Sequence, residues 1–297
     1  MNQSGMTRIF DTHVHFPRNW QKPEEDPAVT LAYTVERLQE AGVVKAAVLS
    51  GSGRWGTTHE GCLRMLERYS GLLVPVAVVD PERTTRLRIW ELYHMGYRGL
   101  KMIGVTRDYD TPDYFPIYAA AEALDMPIVM HLGVIGGGID YAITHPRRDA
   151  RAAQALQNQR GGGGARDHSS TRMHPFHLDT IANNFPNLKL IGAHLGGTGN
   201  YDAASSVARW RHNVYFDLSG GETIERHAVE RRMIGCEIGV EKLTFGSDCR
   251  ADEIGVHVQR FVRIFDEIGL TEDEKERIWY RNAAEIFGFE TPTFAAE

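Results

Sequence analysis

The chain has 297 residues, 42% hydrophobic and 24% charged, with a formal net charge of −6, which suits a soluble protein with a large core and argues against a general nucleic-acid or membrane-surface role. Three widely spaced cysteines, Cys62, Cys236 and Cys249, suit free thiols in a reducing compartment rather than a disulfide framework. With a polar start at Met1-Asn2-Gln3-Ser4-Gly5 and no run of eighteen apolar residues, a cytoplasmic location is expected.

Eight short apolar runs rich in β-branched residues follow in order, each ending in small or polar residues: Thr7–Phe16, Val43–Gly51, Leu72–Asp80, Tyr97–Gly104, Met126–Gly133, Leu188–Gly196, Asn213–Gly220 and Lys242–Cys249. Helical periodicity fills the gaps. Val35, Leu38 and Ala41 make one stripe, Leu87 and Trp90 belong to another, and Val258, Phe261, Val262, Phe265 and Ile268 make the clearest. Gly42, Gly71, Gly96 and Gly269 stand where helices should end, and Thr271-Glu272-Asp273-Glu274 has the form of a capping box opening a final helix towards Ile286 and Phe287. Eight strands alternating with helices point to a parallel sheet closed into a (β/α)8 TIM barrel. An open doubly wound sheet is the alternative, but it does not call for eight repeats of similar length. With no obvious linker, one domain over residues 1–297 is expected.

The fifth and sixth strands are set unusually far apart. The loop at about 134–173 carries Gly136-Gly137-Gly138, then Arg147, Arg148 and Arg151, then Gly161-Gly162-Gly163-Gly164. On a barrel it lies on the C-terminal rim, where active sites form. A surface excursion and a substrate-covering lid are both open readings.

Within the first strand, simple alternation puts Asp11, His13 and His15 on one face, with the two histidines about 6–7 Å apart at the backbone and able to share a metal ion. Other chemistry-bearing residues stand at equivalent strand ends: Lys101 on the fourth, His131 on the fifth, His194 on the sixth and Asp248 on the eighth. Each taken alone is as readily a packing or turn residue. Together they form a nitrogen-rich set suited to a divalent cation, Zn2+ first and Mn2+ second.

Asp11-Thr12-His13-Val14-His15, His131, His194-Leu195-Gly196-Gly197 and Gly246-Ser247-Asp248 together resemble the amidohydrolase superfamily. More narrowly they resemble the amidohydrolase-related branch that includes aminocarboxymuconate-semialdehyde decarboxylase. The likeness runs to Asn282-Ala283-Ala284-Glu285-Ile286-Phe287, similar to that branch's final helix. It implies that His13, His15, His131 and Asp248 hold one metal ion and that His194 is an acid/base beside it, with Asp248 sharing that catalytic role. It also implies a metal-activated water attacking a C–N, ester or lactone bond of a small carboxylated compound. A non-oxidative decarboxylase of an aromatic or muconate-like acid uses the same residues and is the nearest rival; a metal-stabilised binding protein without turnover is a third reading. Binuclear members bridge two ions with a carboxylated lysine, and Lys101, His131 and His194 supply those parts, but the close branch implies a single ion. Barrels of this branch imply homodimers or homotetramers.

Arg54 and Trp55 follow the second strand and Arg172 precedes the Met173-His174-Pro175-Phe176-His177 segment. With Lys101 they are the substrate-binding candidates, suited to an anionic, planar small molecule. His174 and His177 have a spacing that can bind metal, although one facing the site and one facing solvent is the simpler expectation. Cys249 is expected to pack, on the view that strand alternation turns it away from Asp248.

Overall fold

Strands of an all-parallel sheet are covered on both faces, so their sequences run apolar without a break. The computed structural model of the chain describes residues 7–16, 26–51, 57–135, 169–220, 224, 229–230 and 233–290. Eight parallel strands lie in sequence order: β1 (Ile9–His15), β2 (Val43–Ser50), β3 (Leu73–Val79), β4 (Leu100–Met102), β5 (Ile128–Met130), β6 (Leu190–Gly192), β7 (Val214–Asp217) and β8 (Leu243–Thr244). Just past the short β8 the ring is closed onto β1: Thr12 N–H donates to the Phe245 carbonyl at 2.9 Å and Asp248 N–H to the His13 carbonyl at 2.8 Å. The result is a TIM barrel.

Two apolar clusters divide along the strand alternation. Phe10, Leu49, Val76, Val129 and Ile191 fill the inside of the barrel. Ile9, Val48, Ala77, Leu100 and Leu190 face the helices. Those helices are α1 (Pro27–Glu40), α2 (His59–Leu66), α3 (Arg86–Met95), α4 (Phe115–Ala123), α5 (Pro175–Asn184), α6 (Tyr201–Trp210) and α7 (Ile254–Glu267). Each presents an apolar stripe to the sheet. On α7 it is Val258, Phe261, Ile264 and Phe265. The α3 stripe differs from expectation: Ile89 and Leu92 are buried, whereas Leu87 is 67% exposed and Trp90 only half-buried. Leu87 is one residue into the helix, after the Thr85 cap, and that turn faces solvent.

Thr271 does open a capping box, its hydroxyl accepting from Glu274 N–H while the Glu274 carboxylate accepts from Thr271 N–H. The segment that follows is not one uniform helix. It runs as α8 (Glu272–Glu276), a π-helical turn Arg277–Arg281, and α9 (Asn282–Ile286). The Asn282 amide explains the break in part, donating to the carbonyls of Val240 at 2.7 Å and Leu243 at 2.8 Å and so tying this turn to β8. Beyond it Ala283, Ala284, Ile286 and Phe287 plug the bottom of the barrel, Phe287 stacking on Phe10 at 5.4 Å. With that end sealed, the opposite, C-terminal mouth is where polar groups gather. Among the described residues no helix is long and apolar enough to cross a membrane.

β1 departs from simple alternation. Asp11 pairs with Ala46 and Val14 with Val48, so one extra residue sits in β1 between them. This bulge changes the parity. Phe10 and Thr12 point inward below it, His13 and His15 inward above it, and Val14 and Phe16 join the outer cluster. The expected common face of Asp11, His13 and His15 is therefore corrected: the histidines share one, and Asp11 does not belong to it. Asp11 instead braces the turn from beneath, its Oδ1 accepting from His13 N–H and Ser247 N–H, both at 3.0 Å.

Candidate metal centre

Strand-end residues converge at the C-terminal mouth. Ligand-type atoms of His13, His194 and Asp248 lie within 4.8 Å of one another. His13 Nε2 is 3.7 Å and His15 Nε2 3.2 Å from Asp248 Oδ1. His131 completes the group from β5, with Nδ1 3.0 Å from His194 Nε2. Lys101 is wholly buried and its Nζ donates to His13 Nε2 at 3.4 Å. Thus all six candidates, His13, His15, Lys101, His131, His194 and Asp248, meet in one place, and the tightest trio includes His194.

The backbone is bent to achieve this. His194, Leu195 and Asp248 have φ of 61°, 50° and 41°. Such left-handed conformations cost roughly 1–2 kcal/mol each for non-glycine residues and persist only when their surroundings enforce them. For His194 the enforcement is visible: its N–H donates to Asp217 Oδ1 at 2.9 Å. Gly197 follows at φ 86°, ψ 149°, a region open essentially to glycine alone. A Cβ there would stand 2.6 Å from the Leu132 carbonyl oxygen and 2.7 Å from Gly133 Cα. The absence of a side chain lets the loop after β6 press against the end of β5, which brings the His194 and His131 rings together.

Asp217, at the end of β7, had no role in the sequence reading. It is wholly buried, and its Oδ2 accepts from His13 Nδ1 at 2.7 Å. Burial alone would push its pKa up, but the adjacent His13 and the hydrogen bonds from His13 and Ser219 hold it well below the usual carboxylate range. Ser219, two residues on, contacts His194 Nδ1 at 2.8 Å. The available signal was Tyr215 and Asp217 alternating on one side of β7, with Asp217 at the same strand-end level as the other candidates.

The protonation pattern fits a cation site. Burial lowers His194 to about 4, and burial together with nearby His194 and Lys101 pulls His131 well below its usual value. Both imidazoles are accordingly neutral. Burial would raise the Asp248 pKa, but the adjacent His13 and a hydrogen bond from His15 hold it well below the usual carboxylate range, so it is ionised. On His13 the proton is on Nδ1, facing a carboxylate, and the Nε2 lone pair receives a Lys101 N–H. His131 has a single N–H but faces the Val134 carbonyl at 3.3 Å from Nε2 and His194 from Nδ1. Neutral nitrogen donors, one of them short of a proton to share, together with a carboxylate are a donor set that fits a divalent cation.

Lys101 retains a positive charge up to about 8, burial lowering its pKa against the attraction of Asp217 and Asp248. Arg172 is half-buried on the turn Ser170–Met173, whose Met173 carbonyl accepts from Gly133 N–H at 3.0 Å; the turn therefore lies against the end of β5. Arg54 and Trp55, and most of the 134–173 loop, lie outside the described residues. His174 and His177 do not join the centre: His174 Nδ1 caps α5 by accepting from Phe176 N–H, and His177 bridges Asp110 at 2.8 Å and the Thr171 carbonyl at 2.9 Å. Strand alternation cannot be what turns Cys249 aside, since β8 ends at Thr244. Cys249 nevertheless packs against the core, and burial pushes its thiol up, away from nucleophilic use.

By sequence the chain matches no curated protein. Three solved structures show how widely the fold is shared. An uncharacterised TIM-barrel protein from Bordetella bronchiseptica is 16% identical, with a TM-score of 0.65 over 95% of this chain and 98% of that one. A probable 2-pyrone-4,6-dicarboxylic acid hydrolase from Acinetobacter baumannii, with citric acid bound, is 17% identical, with a TM-score of 0.58 over 95% and 99%. A 5-carboxyvanillate decarboxylase from Novosphingobium aromaticivorans, a D314N mutant holding manganese and 3-methoxy-4-hydroxy-5-nitrobenzoic acid, is 12% identical, with a TM-score of 0.63 over 97% and 99%. The sequence pattern of the family described as amidohydrolase matches residues 10–289, nearly the whole chain, and the protein belongs to that family.

Proposed function

We propose that the chain is a metal-dependent hydrolase that opens a C–N, ester or lactone bond in a small carboxylated compound. The observation that carries this reading is the convergence of four imidazoles and a carboxylate at the C-terminal mouth of the barrel. His13, His15, His131 and Asp248 would hold one divalent ion, Zn2+ or Mn2+. When bound it supplies Lewis acidity and eases deprotonation of water near neutral pH. His194 Nε2 carries a lone pair that can take a proton from the attacking water and return it to the leaving group. Lys101 and the half-buried Arg172 bring positive charge to a substrate carboxylate, and Asp217 keeps His13 oriented.

The manganese-bound decarboxylase neighbour supports a second reading in which His194 delivers a proton to a ring carbon before CO2 leaves. One assay separates the two. The chain loaded with Zn2+ or Mn2+ is incubated with carboxylated lactones, esters and amides and, in parallel, with carboxylated phenols. Ring opening or acid release with uptake of 18O from water is expected. CO2 release without 18O uptake would replace the hydrolase by the decarboxylase, and turnover unaffected by chelation would sink both.

A further inference from the structure

We infer that Ser219 is a positioning residue that, together with Asp217, sets the tautomer of His194, placing the proton on Nδ1 and turning the Nε2 lone pair towards His131. The inference deepens the hydrolase reading and rests on it for its catalytic consequence, but the tautomer itself follows from counting protons.

The Asp217 carboxylate has four donors around it. Oδ2 receives His13 Nδ1–H at 2.7 Å. Oδ1 receives His194 N–H at 2.9 Å, Ser219 N–H at 3.1 Å and the Ser219 hydroxyl at 2.5 Å. A carboxylate so surrounded has no proton to give, so the single hydroxyl proton of Ser219 is committed to it. The Ser219 oxygen that faces His194 Nδ1 at 2.8 Å can then only accept, and the proton between them belongs to Nδ1. Ser219 Oγ is also 3.4 Å from His13 Nδ1, but that nitrogen's proton points at Asp217 along the shorter contact. The other charged group near His194 Nδ1, Asp248 Oδ2 at 3.8 Å, is beyond hydrogen-bond reach.

Removing the hydroxyl has a defined consequence. His194 Nδ1–H would lose its acceptor in a site where an unmet donor is costly. An alternative partner already stands on the other side of the ring, His131 Nδ1 at 3.0 Å from Nε2. Moving the proton to Nε2 makes that hydrogen bond and consumes two nitrogen lone pairs at once. Loss of Ser219 is therefore expected to weaken cation binding as well as proton acceptance by His194. The affected ligand is His131, whose Nδ1 lone pair would be taken up by His194, and disturbing the hydrogen bonds of a ligating imidazole typically costs 10–100-fold in metal affinity or activity.

The test uses the full-length chain with ring-15N histidine, metal-free and then with Zn2+, the His194 signals being assigned by their disappearance in His194→Gln. Wild type should show Nδ1 protonated and Nε2 unprotonated before metal is added. Ser219→Ala should move the proton to Nε2 and weaken Zn2+ binding by roughly 10–100-fold, whereas Ser219→Thr, which keeps the hydroxyl, should restore the wild-type tautomer. A wild-type His194 protonated at Nε2 overturns the inference even if Ser219→Ala does not fold, and so does a folded Ser219→Ala that keeps Nδ1–H. A wild-type chain that binds neither Zn2+ nor Mn2+ would defeat the hydrolase reading, while the metal-free spectrum would still decide the tautomer.

Discussion

Gly197→Ala isolates the contact that joins the ends of β5 and β6. The new methyl would have two costs. At φ 86°, ψ 149° the backbone is outside the range of an L-residue, which costs about 1–3 kcal/mol. Its Cβ would also lie 2.6 Å from the Leu132 carbonyl oxygen and 2.7 Å from Gly133 Cα. Both are backbone atoms that cannot swing aside, and overpacking of this kind costs about 1–3 kcal/mol. Stiffening of the unfolded chain offsets about 0.4–1 kcal/mol. The net expectation is a loss of about 3 kcal/mol. Gly199→Ala is the control. Gly199 has φ +89° but nothing within 4 Å of a Cβ, so it bears the backbone cost alone, about 1 kcal/mol net. Urea unfolding of both variants, followed by circular dichroism with a common slope, measures the difference. If the two lose the same stability to within about 0.5 kcal/mol, the close approach of the two loops is not what constrains Gly197, and the account of how His131 meets His194 fails.

Asn282→Ala removes two hydrogen bonds, to the carbonyls of Val240 just before β8 and of Leu243 at its start, and should lower stability by about 2 kcal/mol; an unchanged urea midpoint would show that the π-helical turn does not depend on them. Thr271→Ala, which loses the capping box, should cost about 1 kcal/mol in the same assay. Part of the acid sensitivity should come from His59, outside the centre, whose pKa is lowered by burial and by nearby Arg88 while its Nε2–H donates to the Val78 carbonyl at 3.0 Å. Its unfolded form binds a proton near 6.5 and its folded form at lower pH, so its contribution is lost as pH falls from about 6.5 towards the folded value. The acid-side slope of stability should be shallower in His59→Gln, and equal slopes would refute the assignment. Zn2+ at about 100 times its dissociation constant should raise stability by about 2.7 kcal/mol. Asp248→Asn should abolish most of that gain, and a full gain in the variant would remove Asp248 from the ligand set.

The strand repeat and its strand-end residues were legible in the sequence because a buried parallel sheet imposes continuous apolar runs, and because polar residues interrupt those runs only where each strand reaches the mouth. His13, His15, Lys101, His131, His194 and Asp248, and the barrel that gathers them, are therefore legible in the chain's own pattern. What lay beyond the sequence depended on long-range contacts. The bulge that separates Asp11 from the histidines is a mismatch of register between β1 and β2, invisible in either strand alone. The outward turn of Leu87 was settled by where α3 meets the sheet. Asp217 and Ser219 sit in an apolar run that looks like any other strand, and they acquire a role only when barrel closure brings β7 beside β1 and β6. Local pattern determined which residues could do chemistry; tertiary packing decided what each of them faces, because the partners of His13 and His194, Asp217 and Ser219, lie far away along the chain.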